Sequence, residues 1–528
     1  MNLAAFPLVV GILLAALTEA VAGTVLATAR FDMIGDIYAT TDEFSRLDVV
    51  YAAAKLTGFV LSPWLLGKVC ARTCLRAATG AMTLACGAAA LTFDLDILVG
   101  LRLLQGAAGG VLLVSGQTML FQTFPRSSQP VVQCFFAMGA VVAPATLAPY
   151  MEGWLVDSLA WTWIFLSIVP IGLAALVLLV LAQPGAGVHA KAGRPDWPGL
   201  LLFSIAAYCL TYVLSQGSRW QWLEELSILR LMLGGTVSLT LFMVYQLRAG
   251  RTDALLDLSI FRFSGFAFGF VASIAAGIAL AGSTYLIQSF VVTILGMTLT
   301  AAGRLLLPGA LAFIGTLLLT ALLVQRHGIK PIATVPLGII GLMVAMWMLS
   351  GSTGESGFPD LMPAVLLRGL ALGFLFLSIT LITLLDLPGR KIAYGVALFN
   401  VGRQTGGLFG VAFLETLIDH QTALNRSVLT AHIVPGRVAV TERLAALTDG
   451  LAAHGVELDT ASRAAVQILA RELTMQASVI AFDTAFFAVA LFFVGAAPVL
   501  VTVKIVLGRI SGREEKKMVG TPQQVRSA

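Results

Sequence analysis

A single carboxylic acid, Glu19, stands near the middle of an apolar run of 24 residues from Phe6 to Ala29. An α-helix rises about 1.5 Å per residue, so a run of this length crosses a hydrocarbon core about 30 Å thick. A carboxylate at that depth costs roughly 2–4 kcal/mol, and such residues face a protein interior or a water-filled path. Burial disfavours its charged form. A membrane carboxyl that gains and loses a proton is what a proton-driven transporter needs, and Glu19 is the leading candidate for that role. The competing reading is a structural glutamate hydrogen-bonded to a neighbouring helix. Replacement of Glu19 by Gln is expected to abolish proton-coupled transport with folding intact.

Other ionisable groups are embedded in apolar runs: Arg102, Arg304, Arg368, Arg403 and Asp483. For Arg403 and Asp483 a salt-bridged structural role and a functional one stand open. Tyr285, Gln288 and Asn400 are candidates to line a central pocket, where a few polar groups orient a ligand among apolar walls. Arginines outnumber acids within the runs. That balance tilts the substrate toward anionic, zwitterionic or neutral amphipathic compounds.

The elements that must position these groups follow from composition. Of 528 residues, 58% are hydrophobic and 12% charged, against roughly 45–50% and 25% in soluble domains. The chain is an all-α polytopic membrane protein. The net charge of +5 does not imply nucleic acid, because no basic patch with interleaved aromatics accompanies it. Nothing matches a phosphate-binding GxxxxGK[ST] loop, a nucleophile–base set or a zinc-ligand helix, so an enzyme is not expected. Cys70 and Cys74 share a short basic loop without histidine, and neither a metal site nor a disulfide framework is expected. The first apolar run lacks a basic leader and is too long for a signal peptide, so it is read as retained.

Fourteen apolar segments can span, near 6–29, 47–66, 77–93, 97–122, 132–155, 161–182, 198–217, 226–247, 264–290, 300–324, 331–350, 361–384, 392–418 and 479–503. With both termini in the cytoplasm, cytoplasmic loops and the tail hold 19 of the 33 lysines and arginines, and external loops 8, five of them in one long loop. That bias fixes the expected orientation. Segments seven and eight form a hairpin between two sets of six. The long external loop, 419–478, carries two amphipathic stretches expected to lie as helices at the outer surface. Two halves are echoed in sequence: the basic loop with Lys68 and Arg72 matches that with Gly328 and Lys330, and Arg102 in segment four matches Arg368 in segment twelve. Such halves rock about a site near the midplane. The expected units are 1–182, the first six-helix half; 183–262, a linker and the inserted pair; 263–503, the second half; and 504–528, a basic cytoplasmic tail.

LRLLQGAAGG (101–110) and APATLAPYMEGWLVDSLAWTWIFLSIVPIG (143–172) resemble the major facilitator superfamily, in particular its fourteen-helix drug–proton antiporter branch. The likeness continues through 257–269, 387–407 and 476–486, covers nearly the whole chain, and is strongest to Emr-type multidrug efflux pumps of Gram-negative inner membranes. It implies a major facilitator fold and a proton-coupled antiporter exporting small amphipathic drugs or metabolites across the inner membrane. It also implies a periplasmic adaptor and an outer-membrane channel as partners, the proton motive force in place of any cofactor, and no nucleic acid. Import of an organic acid or nutrient by proton symport, or dedicated export of a siderophore or other metabolite, is the alternative. The resemblance further implies that Arg102 assists proton movement and that Gln105, Gly106 and Gly110 belong to the helix-four motif. Pro149 and Gly153 would bend helix five, with Glu152 an added acid that is either a second proton site or an interfacial charge. The family's helix-one aspartate is replaced by Ala22, and Glu19, one turn away on the same face, takes over its role. The loop acid that helps latch the cytoplasmic gate is missing, with Gly67 before Lys68 and Gln325 in the second copy, so that latch must be weaker or built differently.

Overall fold

The computed structural model describes residues 6–182, 195–248, 255–433 and 436–519. Residues 183–194 and 249–254 of the expected 183–262 unit, and 520–528 of the expected 504–528 tail, lie outside the described residues. Among those described, regular structure is entirely helical: α1 (Phe6–Thr28), α2 (Arg30–Asp36), α3 (Thr41–Lys68), α4 (Ala71–Ala89), α5 (Leu95–Thr123), α6 (Gln129–Ala137), α7 (Ala148–Ser158), α8 (Thr162–Leu181), α9 (Trp197–Gln216), α10 (Leu226–Arg248), α11 (Ser264–Gly277), α12 (Ser283–Thr293), α13 (Leu299–His327), α14 (Val335–Leu349), α15 (Phe358–Leu384), α16 (Ile392–Ala431), α17 (Val438–Ala453) and α18 (Leu458–Val519). Every one of the fourteen expected segments has a helical counterpart. Twelve are long and apolar enough to cross a membrane on those grounds alone. The other two, α4 and α16, carry Arg72 and Arg76, and Arg403, Glu415 and Asp419, which dilute their hydropathy.

Helix ends fall where capping side chains stand. Thr40 and Glu43 form a reciprocal capping box before α3, with Thr40 N donating to Glu43 at 2.9 Å. Asp94 accepts from Ile97 N at 3.0 Å before α5, and Thr298 accepts from Ala301 N before α13. Gly328 ends α13 at φ +64°, a left-handed turn that glycine adopts without Cβ strain.

Two expected spans are not continuous α-helix. The fifth passes from α6 through a π-helical stretch, Met138–Leu147, into α7. The irregularity therefore precedes Pro149, which sits in the first turn of α7, and it contains Pro144, which removes another backbone donor. The ninth passes from α11 through a shorter π-helical stretch, Ile278–Gly282, into α12.

Small residues set the spacing within each half. A Cβ on Gly110 would come 2.9 Å from Gly58 Cα and from Phe59 N, so α5 lies directly against α3. In the second half, a Cβ on Gly373 would come 2.9 Å from Phe313 O, bringing α15 equally close to α13. Helices α9 and α10 pack on each other, and α9 also meets α3 and α16. Their connecting turn is tied to α16, with Trp222 Nε1 donating to Thr416 at 3.1 Å and Ser218 to Asp419 at 2.7 Å.

The long loop departs from expectation. Its first amphipathic stretch forms α17, but the second is continuous with the last span, giving α18 its 62 residues. No proline or glycine interrupts the chain from Leu458 to Val494, so nothing breaks the helix where it leaves the apolar segment. Helix α16, at 40 residues, likewise runs past the thickness of a bilayer.

Candidate functional site

Helix α1 presents Glu19 to α3 and α5. The residue is 2% exposed. Its carboxylate pairs with the Lys55 ammonium, and Tyr51 donates its hydroxyl to Oε1 at 3.0 Å. Tyr51 and Lys55 are four residues apart, one turn of α3, and therefore share a face. Gly109 of α5 leaves the room: a Cβ there would lie 2.9 Å from Glu19 Cγ. The acid is thus neither isolated nor lipid-facing. Removing it would leave a buried ammonium unpaired, so the expectation that Gln at this position leaves folding untouched is revised.

Arg102 joins the same group from α5. Its Nη1 donates to Ala22 O at 2.8 Å and to Gln105 Oε1 at 2.9 Å, and its guanidinium lies 4.1 Å from the Tyr51 ring centroid. Nε and Nη2 have no hydrogen-bond partner among the described residues. Ala22 takes part through its carbonyl alone.

Glu152 does not reach water. It is fully buried, and it accepts from Thr24 at 2.6 Å and Thr28 at 2.7 Å, so α7 is bound to α1 through one carboxylate. Arg102 and Glu152 lie within electrostatic reach of one another. Pro149 and Gly153, on the same helix, serve contact as well as bending. A Cβ on Gly153 would come 2.8 Å from Leu299 C and Thr300 N, so here the first half meets α13 of the second.

Arg403 approaches from the second half. It donates to Asn400 Oδ1 at 2.8 Å and lies within electrostatic reach of Glu19. Asn400 donates through Nδ2 to Gln117 Oε1 at 3.2 Å, a bond that crosses between α16 and α5. Around Glu19 the structure therefore gathers Tyr51, Lys55 and, over the Tyr51 ring, Arg102, while Arg403 acts on it only through its field.

Three other candidates do not join this group. Tyr285 is half-buried on α12, and the acids that act on it are Glu415 and Asp419 of α16. Gln288 is half-buried one turn further along α12. Asp483 lies on α18, next to Phe482, which packs on Phe290, and its Oδ1 has no hydrogen-bond partner among the described residues. Arg304 lies on the outer surface of α13, away from this group. A groove of about 340 Å³ between α3, α4 and α5, lined by Leu65, Cys74, Ala78, Leu104 and Val111 among others, contains none of the predicted site residues.

The motif residues have definite work. A Cβ on Gly106 would come 2.9 Å from Ala54 Cβ, which with Gly110 explains both glycines as α3–α5 contact points. Gln105 is buried as the acceptor for Arg102. In the first basic loop, Lys68 is exposed over the Trp64 ring at 5.7 Å. Arg72 and Arg76 both donate to Leu179 O, at 3.0 and 2.7 Å, and so tie α4 to the end of α8. Those cations are used within the first half. Lys330 precedes a short 3₁₀ turn, Pro331–Ala333, in the matching loop of the second half. The arginine echo is structural too: Arg368 reaches Leu280 O at 3.5 Å and Ser283 Oγ at 2.7 Å. Each arginine thus binds a carbonyl in the first span of its own half.

Lys55, the ion-pair partner of Glu19, is the site residue that sequence reasoning passed over. Its signal was a lysine within a span, four residues after a tyrosine. Gln117 and Gln133 carried no such signal, since neutral amides blend into a membrane helix.

Two six-helix halves, an inserted helix pair and an ion pair buried within the first half fit a multi-pass membrane transporter. Residues 8–411 match the family model described as Major Facilitator Superfamily, and the chain belongs to that superfamily. It is a transporter and not an enzyme. Similar proteins include the multidrug export protein EmrB of Haemophilus influenzae, 26% identical over 80% of this chain and 82% of that one. The colistin resistance protein EmrB of Acinetobacter baumannii is 23% identical over 87% of this chain and 88% of its own. The putative multidrug resistance protein MdtD of Salmonella typhi is 27% identical over 71% and 78%. Among solved structures, the proton:xylose symporter XylE superposes with a TM-score of 0.51 over 93% of this chain and 94% of that one. At 16% identity that likeness concerns the fold alone.

Proposed function

We propose that this protein is a proton-coupled antiporter that exports small amphipathic compounds from the cytoplasm across a bacterial inner membrane. Glu19 carries the reading: a buried carboxylate in the first span, ion-paired to Lys55 of α3 and hydrogen-bonded to Tyr51. From the outer side the carboxyl takes a proton. Neutral Glu19 no longer balances Lys55, and an unpaired ammonium in a low-dielectric interior is costly enough to favour rearrangement of α3 against α1. Substrate leaves to the outside as the proton binds, the carrier turns inward, Glu19 loses its proton to the cytoplasm, and substrate loads again. Arg102, Glu152 and Asp483 are the further proton-handling candidates. Tyr285, Gln288, Asn400 and Arg403 are the candidates for substrate contact.

In this reading 1–182 and 263–503 are the halves that rock, 183–262 is the linker and inserted pair, and 504–528 is a cytoplasmic tail, with both termini inside. The proton motive force supplies the drive, so no cofactor is needed. The relatives named for multidrug export and resistance support export over nutrient uptake. The proposal extends to assembly with a periplasmic adaptor and an outer-membrane channel, for which α17 and the outer end of α18 offer the docking surface. The test compares growth inhibition by a panel of anionic, zwitterionic, neutral and cationic compounds with and without the gene, and with Glu19→Gln. Resistance that disappears with the gene and with the Gln variant supports the proposal. Resistance retained by the variant removes Glu19 from it.

A further inference from the structure

Five buried or half-buried side chains form one hydrogen-bonded line through the interior. Arg403 donates to Asn400 Oδ1 at 2.8 Å, Asn400 Nδ2 to Gln117 Oε1 at 3.2 Å, and Gln117 Nε2 to Gln133 Oε1 at 3.2 Å. Gln133 Nε2 then donates to Gln129 Oε1 at 3.2 Å, and Gln129 Nε2 to the Phe124 carbonyl at 2.8 Å. The four amides are each no more than 2% exposed.

Every bond runs the same way, and chemistry at the two ends requires it. Arg403 can only donate, so Asn400 must offer its oxygen and keep its NH₂ for Gln117. The Phe124 carbonyl can only accept, so Gln129 must present its NH₂ there and its oxygen to Gln133. Reversing any amide between them would set two oxygens or two NH₂ groups face to face. Aligned amides in a low-dielectric interior polarise one another, and a partly satisfied line is worse than none.

The line joins two places. One end is Arg403, a cation of the second half that acts electrostatically on Glu19. The other is the turn between α5 and α6, where the chain passes from the fourth span into the fifth. Only one bond in it, Asn400–Gln117, crosses between the halves. We propose that Gln117 and Gln133 are positioning residues of the transport cycle. They hold Arg403, through Asn400, to the half that carries Glu19, and the Asn400–Gln117 bond is the link that opens when the halves rock. This rests on the rocking-carrier reading but not on the identity of the substrate or on proton coupling.

The experiment places spin labels, carried on unnatural amino acids, at the exposed positions 126 and 326 of the full-length protein in lipid nanodiscs. Distance populations are then compared among variants. Loss of one hydrogen bond is expected to change the population ratio about fivefold. Asn400→Leu and Gln117→Leu should each shift the ratio by that amount away from the distance of this structure, and the double variant should shift it no further, because they share one bond. Gln117→Glu, read at a pH low enough to keep its carboxyl protonated, retains the volume, the oxygen that accepts from Asn400 and a hydroxyl that can donate to Gln133, and should recover most of the wild-type ratio measured at the same pH even where the leucine variants fold poorly. Unchanged populations in the leucine variants, multiplying effects in the double, or no recovery with Glu would overturn the proposal. The populations are read without transport, so a chain that fails to export yet answers to Gln117 sinks the antiporter reading alone.

Discussion

Glu19 and Lys55 answer for one another. Removing one partner of a buried ion pair costs roughly 3–5 kcal/mol, because the other charge is left uncompensated. Glu19→Gln should therefore lower the unfolding midpoint in detergent as well as stop proton-driven flux. Glu19→Gln combined with Lys55→Met removes both charges and should restore much of the midpoint while flux stays absent. A double variant as unstable as the single one would show that the pair does not set the cost. Glu152 behaves differently: its partners are hydroxyls, and Thr24 also bonds Ala20 O at 3.0 Å. Glu152→Gln keeps a carbonyl oxygen for one threonine and should change the midpoint by no more than about 1–2 kcal/mol, a far smaller loss than at Glu19. The acid was readable in the sequence because a carboxylate stands out in an apolar run. Its partner was harder to read, since a lysine inside a span points to no particular neighbour until α3 is laid against α1.

At the scale of helices, the α3–α5 seam is the firmest feature. Its glycines admit backbone rather than side chains, so Gly110→Val must push Gly58 and Phe59 away. Overpacking of this kind costs about 1–3 kcal/mol, and thermal unfolding should register it. Gly100→Val, where a Cβ meets nothing within 4 Å, is the matched control and should leave the midpoint within about 0.5 kcal/mol of the parent. Span existence and order were legible because a bilayer demands length and apolarity, and the spanning helices from α1 to α16 fall where the runs do, whereas the short α2 matches no run. The π-helical stretches were not, since they depend on how α6 and α11 settle against neighbours. The continuity of α18 was misread because amphipathic periodicity and a full apolar segment look like two elements, although no breaker lies between them.

For the whole molecule, the open matter is what the two halves and the projecting helices accomplish together. If α17 and the outer end of α18 serve an adaptor, replacing Val438–Ala453 by a short flexible linker should leave flux in vesicles intact and abolish resistance in whole cells. Equal losses in both assays would assign those helices to the carrier itself. The direction of coupling is the central claim. Purified protein in vesicles under an imposed pH gradient, loaded with a compound to which the gene confers resistance, tests it most directly. The account predicts substrate movement opposite to proton flow, lost in Glu19→Gln. Substrate moving with the protons, or flux indifferent to the Gln variant, would contradict it.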